Sequence, residues 1–303
     1  MLVARRRTAS RRRQKKRGGQ GGPSRKKLMA WLLGAAGSTI LAMVTGVAEG
    51  VGGILLGEGG GETRESSSPT AIPTGDPIKI TKITTVPRSI DGTWVHPESL
   101  DDQAVAKINR EIEEFEKSTY EIMRSHGAVE TGTSSVELEL EGNRPTPVRI
   151  TDIAIDARCR EPLTGTLFYN PPQGEAETVQ IGYDLDRDTV FAQKSTMVEG
   201  EPFPRLIGNY FAEQKYTLKQ GEQVTFRLTA LSRRQYCEYA FELHYIADGK
   251  PGSRRVDDGG KPFRVSALVG KDGIPDCAVY QRHFTSTERV WSKASRAQCW
   301  EEA

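Results

Sequence analysis

Cysteine and histidine are both scarce in this chain, four of each among 303 residues. No two cysteines show the C-x₂₋₄-C spacing of a structural zinc site, so the thiols are left for disulfides or for burial. None of His96, His126, His244 and His283 belongs to an H-E-x-x-H helix, and no serine stands in G-x-S-x-G. Those absences remove two familiar signatures of hydrolytic enzymes. Apolar residues make up only 36% of the chain, which excludes a polytopic membrane protein. Acidic residues are missing altogether from the first 27 positions, although the whole chain is close to neutral at +2.

That last absence divides the chain. Residues 1–27 hold 12 of the 42 Lys and Arg side chains, in RRRTASRRRQKKR and in Arg25-Lys26-Lys27. Residues 28–303 carry 30 basic against 40 acidic side chains, so the chain is not a uniformly basic nucleic-acid binder. A block of like charge cannot bury apolar surface and reads as a disordered tail. Such a tail has three uses: nucleic-acid binding through counterion release, contact with an anionic leaflet, or retention in the cytoplasm as a topology signal.

The next residues decide among them. Residues 28–48 (LMAWLLGAAGSTILAMVTGVA) carry no charge over 21 positions. As a helix this run spans roughly 31 Å, about the thickness of a hydrocarbon core. Trp31 stands near its basic end, where an interfacial aromatic is expected. We therefore expect a transmembrane signal-anchor with a cytoplasmic N-terminus, its tail against the anionic inner leaflet, and no nucleic-acid partner. Gly34, Gly37, Ser38, Thr39 and Gly46 dilute the run, and Gly46-xxx-Gly50 fits a small-xxx-small helix contact. A cleaved signal peptide is the rival reading, but the apolar stretch exceeds the usual core of such peptides. A twin-arginine signal fits poorly, because Gln14 and Lys15 follow Arg11-Arg12-Arg13 where apolar residues belong.

Residues 49–98 read as a flexible linker rich in Gly, Ser, Pro and Thr, with IKITKITTV from Ile78 to Val86 as a short edge strand. Residues 99–126 form the one helical pattern outside the membrane run, with Ser99 as N-cap and Asp101 and Asp102 in the first turn. Val105, Ile108, Ile112, Phe115, Thr119 and Ile122 recur at three- and four-residue steps. A homo-oligomeric stalk through the seam from Val105 to Ile122 is one reading; a helix packed on its own domain is the other, and the polar Thr119 favours it. Glu111, Glu113, Glu114 and Glu116 then form the solvated face.

Beyond Gly127 the period changes to two. Val136, Leu138 and Leu140 alternate with glutamates. Val148 and Ile150 alternate, then the pattern slips by one to Ile153, Ile155, Ala157 and Cys159, which predicts a bulge near Asp152. Further sets are Val179 to Leu185, Val224 to Leu228, Cys237 to Tyr245 and Phe263 to Ala267. Turn chemistry separates them at Asn170-Pro171-Pro172, Lys219-Gln220-Gly221, Asp248-Gly249 and Asp258-Gly259-Gly260. The fold class is thus mainly β: an antiparallel β-sandwich, Ig-like or jelly-roll-like, over residues 127–303, preceded by one amphipathic helix and one transmembrane helix. Cys159 and Cys237 share the apolar parity of their strands, so a buried Cys159–Cys237 bridge is expected, with Cys277–Cys299 as a C-terminal clasp. Free buried thiols are the alternative if the topology is inverted.

The densest polar cluster is Asp184-Leu185-Asp186-Arg187-Asp188. Asp184, Asp186 and Asp188 resemble the start of a calcium loop, but Thr189 replaces the glycine, Ser195 the final glutamate, and Arg187 intrudes. An acidic turn is the simpler reading, and no cofactor is expected. His244 alternates with Glu242 on the polar face of its strand, and His96 and His126 read as incidental. No nucleophile, base and metal set converges, so a catalytic role is not expected.

Gly165-Thr166-Leu167-Phe168-Tyr169, Gly182-Tyr183-Asp184-Leu185-Asp186, Asn209-Tyr210-Phe211 and Tyr236-Cys237-Glu238-Tyr239 carry a resemblance. Across residues 145–270 the chain resembles uncharacterised membrane-anchored proteins of Streptomyces-like actinobacteria, which share an Arg-rich start, one apolar segment, a polar linker and a β-rich exterior. The resemblance implies a location and no activity. The expected function is an extracytoplasmic binding or assembly module, with an envelope protein or polymer as partner. Two other classes stand beside it: a polymer-processing enzyme, which needs two carboxylates about 5–10 Å apart, and a transmembrane signalling adaptor.

Overall fold

Alternating apolar and polar residues build most of the chain that the computed structural model describes: residues 75–87, 92–114, 116–170, 180–198, 201, 203–271, 274–287 and 290–294. These belong to one unit, residues 66–303. The basic tail, the uncharged run at 28–48, most of the expected linker, Phe115, Val179 and Cys299 lie outside the described residues. Among the described residues no helix is long and apolar enough to cross a membrane.

In chain order, β1 (Ile78–Val86) and β2 (Trp94–His96) precede two helices, α1 (Asp102–Glu113) and α2 (Thr119–Ser125). Then come β3 (Val129–Glu130), β4 (Thr133–Gly142), β5 (Val148–Arg160), β6 (Thr166–Tyr169), β7 (Ile181–Asp184), β8 (Gln193–Thr196) and β9 (Arg205–Ile207). A one-turn helix α3 (Tyr210–Glu213) leads into β10 (Tyr216–Leu218), β11 (Gln223–Leu231), β12 (Tyr236–Ala247), β13 (Lys250–Val256) and β14 (Phe263–Ser266). The last strands are β15 (Gly270–Lys271), β16 (Ile274–Pro275), β17 (Arg282–Thr287) and β18 (Val290–Lys293).

Two sheets make the sandwich. One runs β1-β4-β11-β7-β8-β9; the other runs β10-β5-β12-β13, with β14 also paired to β12. Their inner faces share one core, in which Val136, Leu138, Phe226 and Leu228 meet Ile150, Ile153, Phe241 and Leu243. On the outer face of β4 each glutamate has a basic neighbour: Glu137 with Arg227 at 2.6 Å, Glu139 with Lys82 at 3.7 Å, and Glu141 with Lys79 at 3.1 Å. Cross-strand pairing of this kind fixes register more than it adds stability.

Three expectations change. The sheet of β10, β5, β12, β13 and β14 is antiparallel as expected, but the other sandwich sheet and the third sheet are mixed, because β11 pairs parallel with β7 and β17 parallel with β6. The sandwich begins at β1, which pairs with β4 from upstream of the helices. A third sheet, β18-β17-β6-β2-β3, has no counterpart in the alternation pattern. One face of it (Trp94, Phe168, Phe284) packs on α1 and α2. The other (Val95, Val129, Leu167) packs on Tyr236, Cys277 and Tyr280.

The single helix of residues 99–126 is also corrected. Asp101, not Ser99, caps α1, its carboxylate accepting the Ala104 N–H at 2.8 Å. Ser118 and Glu121 form a reciprocal capping box that starts α2. An S-x-x-E box offers the backbone a fresh helix start and overrides the heptad that runs through it. Of the seam, Val105, Ile108, Ile112 and Ile122 are buried in one cluster with Trp94, Phe168 and Phe284 of the third sheet, so these positions pack within their own chain, as the second reading expects.

Candidate functional site

The bulge sits where the alternation slips. Register passes from His244↔Asp152 to Tyr245↔Ile150, leaving Thr151 unpaired on β5. A bulge bends its strand and re-aims side chains. Here it places the half-buried Asp152 carboxylate to accept the Ile153 N–H and to face the His244 imidazole. Burial outweighs both partners and holds the Asp152 carboxyl above its ordinary range. The Ile153 carbonyl, turned away from β12, accepts a hydrogen bond from the fully buried Tyr183 hydroxyl at 2.8 Å.

Two more tyrosines complete the cluster. β10 pairs with β5 beside the bulge, Tyr216 opposite Ile150, while Asn209 caps α3 by accepting the Ala212 N–H. That turn stacks Tyr210 on Tyr216, with ring centroids 6.3 Å apart and planes 6° from parallel. Their hydroxyls are hydrogen-bonded at 2.7 Å. Tyr216 also meets Phe226 edge-on at 4.8 Å, which anchors the pair in the core. Burial and the bond to Tyr216 push the Tyr210 phenol up, so the Tyr210 hydroxyl stays a neutral donor and acceptor at physiological pH. The tyrosine pair offers two half-buried rings and two phenolic hydroxyls on the core side of β5, while Asp152 and His244 stand opposite each other across β5 and β12. The pair suits recognition of a neutral, hydroxyl-rich ligand.

The acidic cluster resolves differently. Asp184 is buried and accepts from the Arg233 guanidinium at 2.6 Å and from Arg187 at 3.3 Å. Asp186 accepts the backbone N–H groups of Arg233 at 2.9 Å and Arg234 at 3.2 Å. Asp188 is exposed. The oxygens that the sequence offers to Ca²⁺ therefore clamp the turn between β11 and β12, and among the described residues no group of three His, Cys, Asp or Glu side chains is placed to hold a metal. Asp186→Ala leaves two backbone donors without their acceptors and is expected to destabilise the protein by about 2 kcal/mol. Urea unfolding reads this loss, and added calcium should leave the wild-type midpoint unchanged.

The other expected sites are placed as follows. Cys159 and Cys237 are bonded to each other, the pairing expected, with Cys237 buried and Cys159 exposed. Cys277 is disulfide-bonded and buried, whereas Cys299 lies outside the described residues. His96 is buried in β2, its Nε2–H donating to the His126 carbonyl at 3.0 Å while Nδ1 accepts from Glu98 N–H. His126 lies 3.0 Å from Glu111, which lowers the Glu111 carboxyl. Neither histidine belongs to the cluster at the bulge. Sequence reasoning finds Asp152 through the slip in alternation but misses Tyr183, Tyr210 and Tyr216, whose meeting depends on α3 and β10. Comparison with protein-family models, with curated proteins and with solved structures finds no match to this chain.

Proposed function

We propose that the chain is a single-pass membrane-anchored protein whose β-rich domain lies outside the cytoplasm and binds a hydroxyl-rich envelope polymer through the Tyr210–Tyr216 pair. The observation that carries the binding role is this pair of parallel, hydrogen-bonded, half-buried tyrosines, which β10 sets against β5 next to the bulge. Half-buried rings give apolar contact surface, and the two hydroxyls give directional partners for sugar-like hydroxyls. The location rests on separate support: 12 basic residues ahead of an uncharged run of 21, and a disulfide of the kind that persists in oxidising compartments. The resemblance to membrane-anchored actinobacterial proteins points the same way.

Two measurements test the proposal. Protease added to intact cells expressing the full chain should digest the β-rich domain; a domain protected until the cells are lysed overturns the location. Full-length protein in detergent micelles should co-sediment with purified cell-wall sacculi. Tyr210→Phe removes one hydroxyl and keeps the ring, so binding should weaken about five-fold, the equivalent of one hydrogen bond. Wild-type protein that stays in the supernatant, or a Tyr210→Phe variant that binds as well as wild type, overturns the binding role.

A further inference from the structure

Strand β5 is paired on both sides only at its beginning. β10 covers Val148, Arg149 and Ile150, while β12 runs beside β5 as far as Arg160. From the bulge onward the other edge of β5 has no strand against it among the described residues. Cys159 and Cys237 lie directly opposite each other with Cα atoms 4.1 Å apart, the close spacing of a non-hydrogen-bonded antiparallel pair. Parity then turns the N–H and C=O groups of Ile155, Ala157 and Cys159 away from β12. None of these groups has a backbone partner among the described residues. The Ile153 groups have the same orientation and find side-chain partners instead, Asp152 and Tyr183.

The side chains along this edge are self-complementary. Asp156 and Arg158 flank Ala157 on the outward face, both exposed. Arg158 has no ionic partner among the described residues, and Asp156 has only a solvent-exposed contact with Arg255 at 3.6 Å. We propose that a second copy of this chain pairs here, β5 against β5 antiparallel, about a two-fold axis at Ala157. In that register Ala157 faces its own copy, and Ile155 faces the partner's Cys159. All three outward residues then fall in hydrogen-bonded pairs, each of which exchanges both N–H···O bonds. Asp156 lands opposite the partner's Arg158, and the symmetry repeats the pair. A parallel in-register pairing would instead stack like charges, so the alternation of sign selects the antiparallel two-fold arrangement. Such an edge is an open template for strand addition. This interface is independent of the tyrosine pair.

The test is charge reversal and rescue in the full-length chain in detergent micelles, read by sedimentation velocity across a concentration series. Wild type should dimerise. Asp156→Arg places like charges opposite each other twice and should weaken the dimer at least about ten-fold. The double variant Asp156→Arg/Arg158→Asp restores the pair and should recover it. Both positions are exposed, so all variants should keep the wild-type melting temperature at concentrations low enough for every variant to be monomeric, which serves as the folding control. A wild type that is monomeric throughout overturns the proposal. So does a dimer indifferent to Asp156→Arg, which would place association elsewhere, for example at Gly46-xxx-Gly50. Failure of the double variant to recover the dimer also overturns it.

Discussion

Replacing Cys159 and Cys237 together with alanine should lower the stability of the β-rich domain by about 4 kcal/mol. The bridge closes a sequence separation of 78 residues. In the chain-entropy treatment a loop of that size restricts the unfolded ensemble by about 4 kcal/mol at room temperature. Against a typical total of about 5–15 kcal/mol, that is a large fraction. Native-state losses add little, because β5 and β12 remain hydrogen-bonded on either side of the bridge. Urea unfolding should show a lower midpoint and a steeper dependence on denaturant, since the unfolded chain loses its cross-link and exposes more surface. Hydrogen exchange gives a local reading of the same change. At the far end of β5 the amides of Asp156, Arg158 and Arg160 are the ones that face β12, so these should lose protection first. Since Cys159 is exposed, a soluble dithiol should reproduce the effect in the wild-type protein without denaturant. An unchanged midpoint in the double alanine variant would mean that β5–β12 pairing already restricts the unfolded chain.

This bridge is legible in the amino-acid sequence because it needs only parity. Cys159 and Cys237 stand in the apolar register of two alternating strands, and the slip at Asp152 marks where β5 bends. The Asp248-Gly249 turn is equally plain: both residues take positive φ, 51° and 73°, as a two-residue hairpin between β12 and β13 requires. The third sheet leaves no such trace. Its strands are short, and in β2 all three residues (Trp94, Val95, His96) are buried, so no polar face alternates with an apolar one. β13 (KPGSRRV) reads as a loop by propensity. It is a strand because Gly252 leaves room for the Tyr245 ring that lies over it, where a Cβ would come within 2.7 Å. The acidic cluster shows the same limit from the opposite side. Its carboxylates are visible, but the arginine turn that occupies them lies nearly 50 residues further on, at separations of 47 to 49. Distance along the chain, not ambiguity of chemistry, hides the clamp; the tyrosine pair, six residues apart, is hidden because α3 and β10 are too short to leave a periodic pattern.

Phe168→Ala should cost about 3–5 kcal/mol and should show where the helical layer is held. Phe168 has no exposed surface. Its ring stacks on Phe284 at 5.6 Å and meets Trp291 edge-on at 5.2 Å, on the sheet face that receives Val105, Ile108 and Ile112. Removing it opens a cavity bounded by both layers, and neither can collapse freely. α1 is tied to β18 by a reciprocal pair, Asn109 donating to the Trp291 carbonyl at 2.9 Å and accepting its N–H at 2.8 Å. That pair holds the helix in place over the void. The full cavity penalty should therefore appear in the unfolding free energy, with a red shift of tryptophan emission as water reaches Trp94 and Trp291. Ile83→Ala serves as the control, because Ile83 is 37% exposed and its loss should stay within about 0.5 kcal/mol. A seam packed on its own sheet makes the Phe168→Ala loss the same at every protein concentration, even where pairing at the β5 edge raises both midpoints together.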